Sequence, residues 1–387
     1  MKRAIVLILD GVGIGALPDA AQYGDEGSNT LVNLAEQCNG LDLPVLESLG
    51  LGNITDIMGV KRVSEPLAFF GKMAEQSPGK DSTSGHWELC GVILEKPFPT
   101  FPKGFPADII SEFEKQIGHE ILGNVPASGT EIIKRLGEKH IREKKPIVYT
   151  SADSVFQVAC HIDVFNVEEL YSFCKTARAM LQGEYGVARV IARPFAGTFP
   201  EFYRTKDRRD FSMAPPAPTL LDIVHEDGTK VTVIGKVDDL FSHRGFDESF
   251  HSVNNLECID FVLDSMKEEH DALIVANFVQ FDMDWGHRND VEGFGKGLVE
   301  MDKGLGRIIR QARDEDIIFI TADHGNDPTT PSTDHSREHV PILAYRNGFA
   351  GQNVGIRETF ADLAKTTANF LGIGGIKNGK DFLEDCR

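Results

Sequence analysis

Short apolar runs, each closed by an acid, an amide or a glycine, recur along this chain and alternate with stretches of helical spacing. Ala4–Leu9 ends at Asp10, and Lys230–Ile234 ends at Gly235-Lys236. Ala272–Asn277 opens into Phe278–His287, and Asp316–Ile320 opens into Thr321-Ala-Asp-His-Gly-Asn-Asp327. These runs are continuous rather than alternating, which predicts strands covered on both faces, as in a parallel sheet. Phe69–Ala74 and Pro341–Tyr345 read as further strands, and Leu31–Glu36, Val291–Arg313 and Glu358–Phe370 as helices. The pattern predicts an α/β fold with a doubly wound, mostly parallel sheet.

Two proline-rich passages interrupt it, Pro97-Phe-Pro99-Thr-Phe-Pro102 with Pro106, and Pro215-Pro216-Ala-Pro218. Proline stiffens a connection and stops regular elements, so the two read as paired hinges around an inserted domain. The expected division is a core of residues 1–97 and 216–387 with an α+β insertion at 98–215. Inside the insertion, Ile147–Thr150 and Val187–Ala192 read as strands. Asn166 and Glu169 form a capping-box-like start to a helix carrying Leu170, Phe173, Cys174, Ala177 and Leu181. Arg189, Arg193 and Arg204 fall near apparent strand ends. Scattered arginines are usually solvated surface, but three so placed could clamp a phosphate.

Charge sharpens that point. Lys and Arg number 40 against 59 Asp and Glu, a formal net charge of −19. Such a balance argues against nucleic acid or an anionic membrane as partner. An acidic protein that handles phosphate needs local positive charge, and bound metal cations would supply it. The six cysteines are scattered with no Cys-x-x-Cys spacing, which fits free thiols in a reducing compartment. The N-terminal apolar run is too short for a signal peptide, and no run approaches the ~20 residues of a membrane span. A cytoplasmic location is expected, with a small-molecule substrate and no obligate protein partner evident.

Ligands in open α/β sheets gather at the carboxyl ends of strands. Collecting the candidates there yields Asp10, Asp282, His287, Asp323, His324 and His335. One Asp-His pair alone would be weak evidence, because such pairs often only brace a turn. Three carboxylates with three imidazoles suit two divalent cations, an arrangement that can clamp a transferring phosphoryl group. Ser82, in Lys80-Asp-Ser82-Thr-Ser-Gly, precedes a plausible helix and is the best candidate for an activated hydroxyl. Its bland alternative is an N-cap cluster. Gly11-Val-Gly-Ile-Gly15-Ala16 satisfies the dinucleotide spacing, but Pro18 interrupts the helix that motif should open. Flexible glycines behind a metal-binding Asp10 are the better reading.

In chain order, several segments together resemble the phosphopentomutases of the alkaline phosphatase superfamily. They are Asp10, Lys80-Asp-Ser82, Ser84-Gly-His-Trp-Glu88, Pro126-Ala-Ser-Gly-Thr-Glu131 and Tyr149-Thr-Ser-Ala-Asp-Ser154. Arg189-Val-Ile-Ala-Arg-Pro194, Ile234-Gly-Lys236, Asp282 with His287, Thr321–Asp327 and Asp334-His335 complete the set. The likeness spans essentially the whole chain. It implies an isomerase with an alkaline-phosphatase-like core, interconverting α-ribose 1-phosphate (or its 2-deoxy counterpart) with the 5-phosphate. It further implies two manganese ions held by Asp10, Asp282, His287, Asp323, His324 and His335. Ser82 would be the phosphorylated nucleophile, primed by a sugar bisphosphate such as ribose 1,5-bisphosphate or glucose 1,6-bisphosphate. Ser151, Asp153, Val155, Arg189, Ile191 and Arg204 of the inserted cap, with Lys236 of the core, would hold the pentose phosphate. A metal-dependent phosphatase or phosphodiesterase of the same superfamily is the alternative. Three positions depart from the family pattern: Ser82 stands for Thr, Gln280 for the first Asp of Val-Asp-Phe-Asp, and Asn289 for the second Arg of Gly-His-Arg-Arg-Asp.

Overall fold

Every residue of Arg3–Leu9 is buried, and this strand, β1, is the centre of the fold. The computed structural model describes residues 1–151 and 154–383. They divide into two units, Met1–Lys96 with Pro215 onward, and Pro97–Ala214. After β1 comes β2 (Ala68–Met73) in the first unit. The second unit holds β3 (Leu122–Pro126), β4 (Ile147–Thr150), β5 (Val155–His161), β6 (Arg189–Ala196), β7 (Tyr203–Arg204) and β8 (Arg209–Ser212). The chain then returns to the first unit with β9 (Lys230–Ile234), β10 (Glu248–Phe250), β11 (Ala272–Phe278), β12 (Asp316–Thr321), β13 (Val340–Tyr345) and β14 (Asn353–Arg357).

The first unit's sheet runs β10-β9-β11-β1-β12-β13-β2-β14. Its pairs are parallel except at β13, which is antiparallel to both β12 and β2. Leu9 lies beside Phe278 of β11, and Ile8 beside Thr321 of β12. Three adjacent parallel strands therefore finish level with one another, about 4.8 Å apart. The opposite end is fastened by a buried pair, in which Arg3 Nε donates to Asp316 Oδ1 at 2.8 Å and Nη2 to Oδ2 at 2.5 Å. Two strands escaped the apolar pattern because little of them is covered: β10 has three half-buried residues, and β14 is an edge strand.

The second unit is a mixed sheet, β3-β4-β5-β6-β7, with β8 also on β6. Helices Ala107–Ile117 and Val167–Met180 contribute to a core with Phe113, Phe156, Val158, Leu170 and Val190. A separate cluster joins the Gly129–Glu143 helix, through Ile132 and Ile133, to Ile147, Tyr149 and Phe195. The Asn166–Glu169 capping box is formed in both directions, at 2.9 Å each way. Among the described residues no helix is long and apolar enough to cross a membrane.

Candidate active site

The Ser82–Leu89 helix is capped by Asp81, whose Oδ1 accepts from Thr83 N at 3.0 Å and Ser84 N at 3.1 Å. A carboxylate thus does the capping that a hydroxyl would otherwise do, and the Ser82 hydroxyl is left for other contacts. Its Oγ lies 3.1 Å from His324 Nε2. The helix approaches the end of β12 closely, since a Cβ on Gly85 would fall 2.1 Å from the Asp323 carbonyl oxygen. Any side chain there would push the helix start away.

Asp10 follows β1, and Asp323-His324 follow β12. Asp282 sits in a π-helical turn, Phe281–Trp285, after β11, and His287 in the turn beyond it. His335 arrives from the loop before β13. All six converge. His324 Nε2 is 3.4 Å from Asp10 Oδ1 and 3.2 Å from Asp323 Oδ2. Asp282 faces His335 Nε2 with Oδ1 and His287 Nε2 with Oδ2, each at 3.2 Å. Two groups can each hold a cation, the buried Asp10, Asp282 and His324, and the more exposed Asp282, His287 and His335.

These residues fit two divalent ions. Ligand bonds of about 2.1 Å in tetrahedral or octahedral geometry leave neighbouring donors about 3.0–3.4 Å apart, the spacing found here. Each carboxylate off β1 and β12 has one oxygen engaged from outside and one facing inward. Asp10 Oδ2 accepts from Asn277 Nδ2 at 2.9 Å and Asp323 Oδ1 from Gly11 N at 3.2 Å. Asp10 Oδ1, Asp323 Oδ2 and His335 Nε2 are buried without a hydrogen bond of good geometry. His324 Nδ1 is 3.0 Å from the Gly325 carbonyl and His287 Nδ1 2.8 Å from that of Thr333. An N–H donated there leaves each Nε2 lone pair pointing at the centre.

Electrostatics point the same way. Burial, then the charges of Asp323 and Asp282, hold Asp10 well above the usual carboxylate range. Burial opposes a proton on His335, yet Asp282 and Asp334 push its pKa up to about 10. Burial would raise Asp282 too, but His335 and His287 draw it well below its ordinary value. A dry pocket with three acids calls for positive charge, and with no cation present a proton on His335 fills that role.

Several contributors were not singled out as site residues by the sequence, although His86 and Asn326 lie within segments that carry the family resemblance. His86 Nδ1 lies 3.0 Å from Asp323 Oδ2 and 2.9 Å from the Ser82 carbonyl. Asn326 Nδ2 donates to Asp282 Oδ1 at 2.6 Å. Glu338 accepts from Gly15 N at 3.0 Å, Thr30 N at 2.9 Å, Thr30 Oγ1 at 2.8 Å and Ser336 Oγ at 2.7 Å. A Cβ on Gly13 would sit 2.4 Å from Glu338 Oε2. The glycine run after Asp10 thus makes room for a buried carboxylate of this chain. Arg337 Nη1 donates to Glu75 at 2.6 Å, the Ser77 carbonyl at 2.8 Å and the Gly79 carbonyl at 2.6 Å, fixing the loop ahead of Ser82. The dense polar run Asp334–His339 was the one clue to this pair.

Gln280 and Asn289 have local reasons. Gln280 Nε2 donates to Asp284 Oδ2 at 2.9 Å while its Oε1 accepts from Asn255 N at 2.7 Å. An amide serves both partners, whereas an ionised acid would repel Asp284. Asn289 takes φ of 51°, a region Asn tolerates well, and its Nδ2 donates to the Thr330 carbonyl at 2.5 Å.

In the second unit, Val155 is paired with Arg189, Ile191 stands two residues further along β6, and Ser151 directly follows β4. These four share one end of the sheet. Arg204 is paired with Phe195, six residues along β6 from Arg189 and so about 20 Å away by backbone. The three arginines are strung along β6 rather than gathered at one strand end. Arg189 pairs with Asp210 at 3.6 Å and Arg193 Nε donates to Gln157 at 3.1 Å. Arg204 Nη2 donates to Thr130 Oγ1 at 2.8 Å, beside the start of the Gly129–Glu143 helix. The Tyr149 hydroxyl is buried near that helix start, beside the Arg193 guanidinium and with no hydrogen bond of good geometry among the described residues. A Cβ on Gly129 would lie 2.6 Å from it and 3.0 Å from Arg204 Nη2. Burial raises the Tyr149 pKa while Arg193, Arg204 and Arg208 pull it down, so positive charge surrounds the hydroxyl. Asp153 lies outside the described residues. Lys236, after β9 in the first unit, has Nζ 3.3 Å from Met283 Sδ, next to Asp282.

The model of the metalloenzyme superfamily matches residues 2–374. A phosphopentomutase from Dictyoglomus turgidum is 56% identical over 386 residues, covering 100% of this chain and 98% of its own. One from Acetivibrio thermocellus is 54% identical over 384 residues, covering 99% of each. Among solved structures, the PH0037 protein from Pyrococcus horikoshii shares the fold with a TM-score of 0.51 at 14% identity, over 98% of this chain and 99% of that one. The chain belongs to the phosphopentomutases of the metalloenzyme superfamily and is an enzyme of the isomerase class.

Proposed function

We propose that this enzyme interconverts a pentose 1-phosphate, ribose or 2-deoxyribose, with the 5-phosphate through a phosphorylated Ser82. The observation that carries the reading is the 3.1 Å approach of Ser82 Oγ to His324 Nε2, within a cluster of six convergent metal-ligating side chains. Two manganese ions held among Asp10, Asp282, His287, Asp323, His324 and His335 would supply Lewis acidity and charge neutralisation at the phosphoryl group.

The phosphoryl group begins on Ser82 Oγ, placed there by a sugar bisphosphate. A free sugar hydroxyl attacks phosphorus, the bond to Ser82 Oγ breaks, and the hydroxyl proton leaves to solvent or base. The product is a 1,5-bisphosphate. After it turns over, Ser82 Oγ attacks the other phosphorus, the bond to the second sugar oxygen breaks, and the isomerised monophosphate departs with Ser82 phosphorylated again. The bisphosphate must be retained and water excluded, or the enzyme becomes a phosphatase. That is the role we assign to the insertion as a cap. Ser151, Val155, Arg189 and Ile191 would line the sugar, with Asp153 alongside. Tyr149 and Arg204 would take phosphate oxygens at a helix start, and Lys236 would serve from the core. The described cysteines are free thiols, which supports a reducing cytoplasm.

The test is phosphorus NMR of α-ribose 1-phosphate with enzyme, Mn²⁺ and a catalytic amount of sugar bisphosphate. Ribose 5-phosphate without inorganic phosphate is the expected product. Inorganic phosphate as the main product would mean a hydrolase on the same core. No turnover with either pentose would refute the substrate assignment.

A further inference from the structure

The carboxyl edge of the first unit's sheet carries a second set of metal-ligating side chains, one strand outward from the site above. β9 lies beside β11, and β10 beside β9, all parallel. Asp238 and Asp239 belong to the short Val237–Leu240 helix that follows β9, and His243 comes just after it. His251 is the residue after β10. The same topology that brings Asp10, Asp282 and Asp323 together therefore gathers these four at the neighbouring strand ends, where such sheets bind ligands.

The donors face one another. His251 Nε2 lies 2.9 Å from Asp238 Oδ2, and His243 Nδ1 3.6 Å from the same oxygen. His243 Nε2 is 3.5 Å from Asp239 Oδ1. Ligating atoms of Asp238, Asp239 and His243 all lie within 4.8 Å of one another. Asp238 is only 4% exposed in its side chain, and among the described residues its carboxylate contacts two imidazoles and the Asp239 N–H but no lysine or arginine. The nearby Arg244 is turned away to Asp222 at 3.1 Å. Ser242 and His243 both have positive φ, 54° and 57°, which curls the chain back and returns the His243 ring to the acids. The two imidazoles are 52% and 64% exposed, so an ion can reach them from solvent.

We propose that Asp238, Asp239, His243 and His251 bind one divalent transition-metal ion, of the kind that accepts mixed imidazole and carboxylate ligands, with Zn²⁺ the strongest case. A nearly buried acid facing only imidazoles is poorly compensated by neutral rings, and a cation between Asp238, Asp239 and His243, with His251 turning in on Asp238, supplies the missing positive charge. The ion would tie the β9 and β10 ends together and brace the Val237–Leu240 helix. Trp87 of the Ser82–Leu89 helix donates its indole N–H to the Leu240 carbonyl at 2.9 Å. The site is thus one hydrogen bond removed from the helix that presents Ser82.

The experiment uses the full-length protein equilibrated with Zn²⁺, freed of loose metal by gel filtration and analysed for zinc per chain. Wild type should carry one equivalent more than the double variant His243→Gln, His251→Gln, because ions at the six-ligand site count equally in both. Equal zinc content in the two proteins would overturn the proposal. His251→Gln alone alters an exposed ring and guards against a folding defect in the double variant. It too should lose one equivalent, together with part of the Zn²⁺-induced rise in unfolding temperature, and an unchanged content and rise would overturn it as well. Neither readout depends on turnover, so a wrong substrate assignment would leave the result intact.

Discussion

Ser82 Oγ and His324 Nε2 lie 3.1 Å apart, and the same imidazole nitrogen faces Asp323 at 3.2 Å and Asp10 at 3.4 Å. One nitrogen thus marks where a hydroxyl and two acids could share an ion. Ser82→Ala should abolish the phosphoenzyme and lower turnover by at least about 10³-fold, as removal of a nucleophile does. Metal content should be unchanged. Intact-mass spectrometry after incubation with sugar bisphosphate reads the adduct, and an undiminished adduct would move the nucleophile to Thr83 or Ser84. Ser82→Thr keeps the hydroxyl, restricts its χ1, and should still be phosphorylated.

His335 predicts a proton signature of metal loading. Without a cation its pKa is held at about 10 by Asp282 and Asp334 against burial, so it carries a proton at pH 8. A bound ion needs the neutral ring and must expel that proton. Calorimetric Mn²⁺ titrations in buffers of different ionisation enthalpy should reveal release of about one proton per chain from this ring. His335→Ala should remove that release and lower the manganese content.

For the insertion, Tyr149→Phe removes a buried hydroxyl that makes no hydrogen bond of good geometry among the described residues, so stability should change by less than about 1 kcal/mol. Steady-state kinetics should show KM for the pentose phosphate raised several-fold, and Arg204→Met should raise it further. An unchanged KM in both variants would remove the helix start near Thr130 from the phosphate site.

His140 ties acid sensitivity to the insertion. Its Nδ1 is 2.7 Å from the Lys145 carbonyl, and its Nε2 accepts from His161 N at 2.8 Å, an arrangement only the neutral ring can make. Burial lowers its pKa to about 4. Between about pH 6.5 and 4 the unfolded chain binds this proton and the folded one does not. Stability is therefore whole above pH 6.5 and falls as pH drops toward 4, by about 3 kcal/mol in all. Titration of the His140 ring by NMR and urea midpoints across that window check it, and His140→Gln should flatten the slope.

Asp316→Ala should leave Arg3 buried without its counter-charge at the end of the sheet remote from the ligands. A loss of about 3–5 kcal/mol is expected in urea unfolding, with metal content intact.

The strands of the core were legible because they are buried on both faces and so read as unbroken apolar runs. β13 looks the same whichever way it runs, so its antiparallel direction had no sequence signal. The six candidate ligands were legible as acids and imidazoles just past strand ends, and their convergence is what the structure adds. Glu338 and His86 were not, since their roles arise from contacts with Thr30 and Asp323, more than 200 residues away in each case. The spacing of the arginines was not legible either, because the reversal between β6 and β7 brings Arg204 back beside Phe195 rather than beside Arg189.

The central strand has a history that its neighbours do not share. β1 is the first strand of this chain to leave the ribosome, while the strands that flank it, β11 and β12, begin at Ala272 and Asp316. A nascent chain therefore carries an unpaired ribbon, apolar after Arg3, through most of its synthesis, with a separate unit made in the interval. Asp10 waits longest, because His335 is the last ligand to emerge. No chain that stops short of His335 offers an ion all six donors, so a metal would favour molecules already extended past that residue.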